Sequence, residues 1–386
     1  MSNPLRGIGA INNIPTSLLQ VKPSIASLGR QYNDTLNKLW PAKNTPMAFV
    51  TVSNTTGGSG LTVYGVGKPD NFPNVANTPV LPGSGNSVAS SPDTIYMAIG
   101  HQTTPFISIY KRNGDVFTKL SNPGTLPSGA AQGVAFSPDG KYLGMSISGA
   151  PYIAIYKVDK TTDTFTKLTN PSTTPTGATP GSTGVSFSFD STYMAIAHST
   201  TPFLTIYKID KTTDIFTKLT NPGTMPSNAG TSSAFSNDGN YLAVTYGSTP
   251  YVIIYKIDKA TDTFTKLTNP STLPVGAASS ATFSNDGNYL VIGHATTPFI
   301  TIYRINSSTD TFTKIANPSP LPTSGSQSNQ AFSGDSTYFA QTNGGSASSF
   351  VQMFKVDSTT DTFTYLSDVI TQPGAYPNGC IFISAP

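Results

Sequence analysis

The chain repeats itself. The string GVAFSPDGKYLGMS beginning at Gly133 returns as GVSFSFDSTYMAIA at Gly184, SSAFSNDGNYLAVT at Ser232 and SATFSNDGNYLVIG at Ser280. Two diverged copies, SVASSPDTIYMAIG and NQAFSGDSTYFAQT, flank these four. Each copy runs on into a second half of the type TPYVIIYKIDKATDTFTKLTNPSTLP. The period is about 48 residues, the spacing of Phe216, Phe264 and Phe312. A fixed period of this length restricts the fold to solenoids, propellers or arrays.

Three aromatic series mark the register. The first is Tyr96, Tyr142, Tyr193, Tyr241, Tyr289 and Tyr338. The second is Tyr64, Tyr110, Tyr156, Tyr207, Tyr255, Tyr303 and Phe354, and the third is Phe72, Phe117, Phe165, Phe216, Phe264, Phe312 and Phe363. Within a unit the apolar residues alternate with period two, which specifies strands. In YVIIYKI they fall on both faces, as in a strand packed between two neighbouring layers. Four strands fit each unit. The S-x-D-G or S-x-D-S turn joins the first two, with Asp139, Asp190, Asp238, Asp286 or Asp335 bonding local backbone. A hairpin led by Pro105, Pro151, Pro202, Pro250 or Pro298 follows, and D-K-x-T-D makes the third turn. The N-P-x-x-x-P segment crosses to the next unit. Four strands per repeat make a propeller blade. The expected fold is therefore all-β, a seven-bladed β-propeller of four-stranded blades over residues 47–386.

The first aromatic series has one member fewer than the other two, and the missing strand lies at the far end of the chain. The segment GCIFIS places Phe382 about one repeat after Phe332, in line with Phe136, Phe187, Phe235 and Phe283. Cys380, Ile381, Phe382 and Ile383 are thus expected to close the ring. Their blade takes its other strands from AFVTVS at 48, LTVYGV at 61 and the segment near Phe72. Closure covers the two terminal blades, which an open solenoid would leave bare.

Residues 1–46 do not match the repeat and read as an N-terminal arm. Pro4, Gly7, Gly9, Pro15 and Pro23 oppose a helix in the first part. An amphipathic helix is expected near 24–40, where Ile25, Leu28, Tyr32, Leu36 and Leu39 recur at three and four residues and Trp40 follows. Ser24 is its candidate N-cap. The stripe can pack on its own propeller or on a neighbouring protein or copy, and the sequence leaves both open. No apolar run of secretory length follows Met1, so no signal peptide is expected. No segment reaches the ~20 apolar residues of a membrane span, so no membrane insertion is expected.

The residues that could carry chemistry are few. His101, His198 and His294 hold one repeat position on different blades, where other units carry Ile147 or Tyr246. That spreads them around a ring, whereas zinc needs its ligands about 2.1 Å from one point, so no metal site is expected. The aspartate pairs Asp159/Asp163, Asp210/Asp214 and Asp258/Asp262 lack a dense calcium-loop pattern and read as turn residues. Lys157, Lys167, Lys208, Lys218, Lys256 and Lys266 read as protection of the outer strand edge. The net charge of +3 without a block of like sign gives no footprint for nucleic acid. All 19 acids are aspartate, which removes glutamate-dependent mechanisms, and the single cysteine removes an intramolecular disulfide. No nucleophile elbow or phosphate loop is present. No catalytic residue and no cofactor are expected.

The string FSPDG-x-YL followed by a Tyr-Lys strand resembles the YVTN and lactonase-like seven-bladed propellers. Units such as FSPDGKYLGMS, TPFISIYKRNGDVFTKL and NPGTLPSG also resemble propellers encoded among phage structural genes. The latter resemblance implies a non-enzymatic virion component, a tail, fibre or capsid-surface protein anchored through its arm. Its expected partners are other virion proteins or copies of itself, and a host-surface glycan or protein. Two alternatives stand beside it: a glycan- or protein-binding module, and a lactonase-like hydrolase.

Overall fold

The computed structural model describes residues 47–53, 61–66, 81–113, 116–179, 181, 184–324, 329–344, 350–368 and 377–383. These residues belong to one unit, Pro46–Pro386. They form strands and turns, with no helix among them. The arm and its expected helix at Ile25, Leu28, Tyr32, Leu36, Leu39 and Trp40 lie outside the described residues.

The strands group into seven antiparallel sheets, six of four strands and one with three described strands. We number the blades from the one that joins the chain ends. In blade 2 the inner strand is Gly85–Ser90, the second Tyr96–His101, the third Ile107–Asn113 and the outer Val116–Lys119. Blades 3 to 7 repeat this order, with inner strands Ala131–Phe136, Val185–Phe187, Gly230–Phe235, Ala278–Phe283 and Gln330–Phe332. In blade 1 the strand Met47–Ser53 lies between Leu61–Val66 and the C-terminal strand Pro377–Ile383. Its register pairs Phe49 with Phe382 and Ala48 with Ile383. The segment near Phe72 lies outside the described residues.

The aromatic series form the seams between blades. Tyr142 of blade 3 meets Phe216 of blade 4 edge to face, ring centroids 5.2 Å apart, and the same pair recurs as Tyr96–Phe165, Tyr193–Phe264, Tyr241–Phe312 and Tyr289–Phe363. Such pairs contribute about 0.5–1.5 kcal/mol beyond their buried area. The hydroxyl of each Tyr donates to an aspartate in the third turn of the next blade: Asp163, Asp214, Asp262, Asp310 or Asp361. The third-strand tyrosines Tyr156, Tyr207, Tyr255 and Tyr303 donate instead to carbonyls of the crossing segment, from Thr125, Thr173, Thr224 and Thr272.

These seams change the reading of the charged residues. Lys157, Lys208 and Lys256 do not simply guard a strand edge; each pairs with the aspartate of the next blade, Asp214, Asp262 or Asp310. The second aspartate of each pair is accordingly more than a turn residue. It adopts a left-handed backbone, as at Asp214 with φ 59°, which short polar side chains tolerate, and this directs its carboxylate across the seam. The first aspartate does cap its own turn, as Asp159 does by accepting from the Thr161 amide. The outer-strand lysines Lys167 and Lys218 bond Asn170 and Asn221 locally.

Candidate functional site

The seven inner strands surround a central channel of about 340 Å³, to which every blade contributes. Two features of the sequence bring this about. Many of the inner-strand residues that line it are small, such as Ser87, Ser186, Ser233 and Thr282, which lets seven strands converge. Larger side chains, Phe187, Phe235, Phe283, Phe332 and Phe382, stand where the inner strands end. The C-terminal strand completes the wall with Cys380, Ile381 and Phe382. Among the described lining residues none carries a charge. The chemistry the lining offers is that of hydroxyls, amides and apolar faces.

Cys380 is no nucleophile. It is buried, and burial pushes its thiol well above the usual range, so the thiolate that reacts is not populated. The three histidines also stand apart from the channel lining. Each is fully buried inside its blade, with Nε2 at 3.2 Å from Ser108, 2.9 Å from Thr205 or 3.0 Å from Thr301. Burial lowers the pKa of all three, that of His198 to about 4, so they are neutral near pH 7. A His–hydroxyl pair is also the arrangement of an activated nucleophile, but these pairs face protein on every side. Where the histidine is Ile147 the hydroxyl partner becomes Ala154, and where it is Tyr246 the partner becomes Ile253. Histidine and hydroxyl thus come and go together as a packing unit. Among the described residues no group of three His, Cys or Asp could hold a metal ion.

The symmetry of the ring breaks in blade 7. There, the inner, second and third strands carry Gln330, Gln341 and Gln352 side by side, through the registers Gln330↔Gln341 and Gln341↔Gln352. The matching residues of blade 6 are Ala281, Ile292 and Thr301, and those of blade 3 are Val134, Met145 and Ala154. All three glutamines are buried, Gln341 completely. Gln330 Nε2 donates to Gln341 Oε1 at 3.3 Å, and Ser280 Oγ of blade 6 donates to Gln330 Oε1 at 3.2 Å. Asn343, in the position of the histidines, donates from Nδ2 to Gln352 Oε1 at 2.9 Å. Gln330 and its neighbour Asn329 line the channel. The signal was present in the sequence: NQAF, FAQT and VQMF carry glutamine where the other units are apolar or hydroxylic.

Residues 116–230 and 204–377, together more than half of the chain, match the family described as lactonase, 7-bladed beta-propeller. No curated protein matches the sequence. Among solved structures, the periplasmic gluconolactonase of Pseudomonas aeruginosa superposes with a TM-score of 0.68 at 14% identity, over 88% of this chain and 100% of that one. A candidate 6-phosphogluconolactonase from Bacteroides uniformis gives a TM-score of 0.69 at 15% identity, over 88% and 100%. A counterpart from Bacteroides fragilis gives 0.66 at 12% identity, over 89% and 100%.

The family match overturns the expectation of a non-enzymatic virion or attachment protein, because the family is named for the hydrolysis of cyclic esters and not for a particle component. The expectation looked for charged groups that break the repeat; among the described residues the blade 7 strands depart from it with neutral amides. By the span of the match, from residue 116 to residue 377, the chain belongs to the lactonase family of seven-bladed β-propellers.

Proposed function

We propose that the chain is a lactone hydrolase that takes its substrate into the central channel. The observation that carries this reading is the family match over residues 116–377. The channel supports it: about 340 Å³ is within the range of small-molecule sites, and the lining mixes apolar faces with a few polar groups. The gluconolactonase name of one structural neighbour points toward lactones of sugar acids. Hydrolysis of a lactone adds water across the acyl C–O bond and opens the ring to a hydroxy acid. Negative charge develops on the carbonyl oxygen in the transition state, where fixed hydrogen-bond donors stabilise it. Amide and hydroxyl groups of the channel wall, such as Asn329 and Ser87, are donors of that kind.

The test is direct. The purified full-length chain is assayed in a pH-stat against D-glucono-1,5-lactone and δ-valerolactone, with the spontaneous rate subtracted. Acid release above background that scales with protein concentration is expected. No acceleration on either lactone or on a wider panel would sink the reading.

A further inference from the structure

The glutamine ladder of blade 7 buries amides where the matching residues of blade 6 are Ala281, Ile292 and Thr301. The second-strand position held by Gln341 is Ile99, Met145, Ile196, Val244 and Ile292 in blades 2 to 6, so the architecture is content with an aliphatic side chain there. Gln341 is fully buried, and its Nε2 has no hydrogen-bond partner among the described residues. An unpaired buried amide is destabilising. Amides kept under those conditions, and continuous with the wall of a channel, are of the kind retained for a ligand.

The geometry defines what Gln330 can recognise. Its Oε1 already accepts from Ser280, and its Nε2 already gives one hydrogen to Gln341. One N–H and one oxygen lone pair of this uncharged amide remain at the channel wall. Hydroxyl groups both donate and accept, so a hydroxylated ring satisfies both. A phosphate or carboxylate would offer acceptors only and would call for cationic partners. Phe332, two residues along the same strand, and Phe382 of the adjoining blade present apolar faces in the same channel, suited to the C–H face of a sugar ring.

We propose that Gln330, with Gln341 as the positioning residue behind it, forms a subsite for the ring hydroxyls of a neutral polyhydroxylated lactone. This rests on the channel being the lactone site proposed above. Gln341 fixes the Gln330 amide by accepting its hydrogen bond. The chemical class is therefore a neutral sugar lactone, in preference to an unsubstituted lactone.

The experiment compares the full-length protein with Q330A and Q341I, which copy Ala281 and Ile292 of blade 6. Two lactones of equal ring size are used, D-glucono-1,5-lactone and δ-valerolactone, together with binding of the non-hydrolysable 1,5-anhydro-D-glucitol followed by NMR. In both variants kcat/KM for the gluconolactone and affinity for the anhydroglucitol are expected to fall about tenfold or more, while kcat/KM for δ-valerolactone changes less than about twofold. The melting temperature of Q341I should equal or exceed that of the parent, and that of Q330A, which loses the hydrogen bonds to Gln341 and Ser280, should fall by only a few degrees, which separates the effect from misfolding. Equal losses on both lactones, no loss on either, or no binding of the anhydroglucitol by the parent protein would overturn the subsite. Glutamine-dependent binding of the anhydroglucitol without hydrolysis of any lactone would uphold the subsite and remove the hydrolase reading. Hydrolysis of both lactones indifferent to the glutamines would do the reverse.

Discussion

The hydroxyl of Tyr241 donates a 2.5 Å hydrogen bond to the carboxylate of Asp310, and the two residues stand in neighbouring blades. Lys256 closes the triangle, 2.6 Å from the same carboxylate and 4.7 Å from the centre of the Tyr241 ring. Equivalent contacts join blades 2 to 7 in succession, so lateral cohesion at these seams comes from polar clamps laid over aromatic pairs.

Breaking one clamp should weaken the whole ring modestly. Asp310→Ala leaves the Tyr241 hydroxyl and Lys256 without their shared acceptor. A loss of about 1–2 kcal/mol is expected, since the pair is partly exposed. The Lys256 ammonium, and after it the Tyr241 hydroxyl, hold the Asp310 pKa below its usual value of 3.8. The carboxylate therefore contributes stability above the unfolded pKa, and this is lost as pH falls through the folded one. Urea unfolding of parent and variant at pH 7 and pH 3 tests both statements. A difference between them that did not shrink at the lower pH would contradict the clamp.

The buried histidines give a second, larger acid sensitivity. Burial lowers the His198 pKa from 6.5 to about 4 in the folded chain. The unfolded chain thus binds a proton first, and stability present above pH 6.5 is lost as pH falls toward 4. For His198 the shift corresponds to about 3 kcal/mol at most. The double substitution His198→Ile with Thr205→Ala copies the Ile147/Ala154 unit of blade 3. It should fold, and its stability should vary less with pH between 4 and 6.5 than that of the parent. An unchanged slope would show that His198 titrates normally.

Removing residues 378–386 should open the ring. The C-terminal strand pairs with Met47–Ser53 and buries Cys380 and Ile383, so its loss strips blade 1 of its inner strand. A fall in melting temperature on the order of 10 °C or more is expected by calorimetry. A truncated chain melting at the parent temperature would contradict closure by this strand.

Cys380 reports on the same strand without disturbing it. Its thiol is buried and its pKa raised by burial, so the native protein should react slowly with a thiol reagent at pH 8. Denaturant should release rapid reaction in step with the unfolding of blade 1. Rapid labelling of the native chain would show that the strand detaches under native conditions.

How much of this was legible beforehand depends on the range of the interaction. Blade count, strand order and the pairing of GCIFIS with the strand at 48 follow from period and phase, which are written along the chain. The turn roles of Asp139 and Asp159 were legible for the same reason, because an aspartate bonding backbone two residues away needs only local sequence. Lys157 and Asp214 were not, since their contact joins residues 57 apart across a seam. Nor was the proposed subsite: three glutamines in separate motifs look like drift in a diverging repeat until strand register sets them side by side.

The sequence by itself determined that the chain is a ring of seven β-blades, because alternation and repeat length are local properties that every unit states again. Only the tertiary structure decided which charges clamp the blades, which hydroxyls pair with the buried histidines, and that the break in symmetry runs from Gln352 to the channel wall at Gln330. Those relationships depend on distances between strands and between blades, and such distances exist only once the ring has closed.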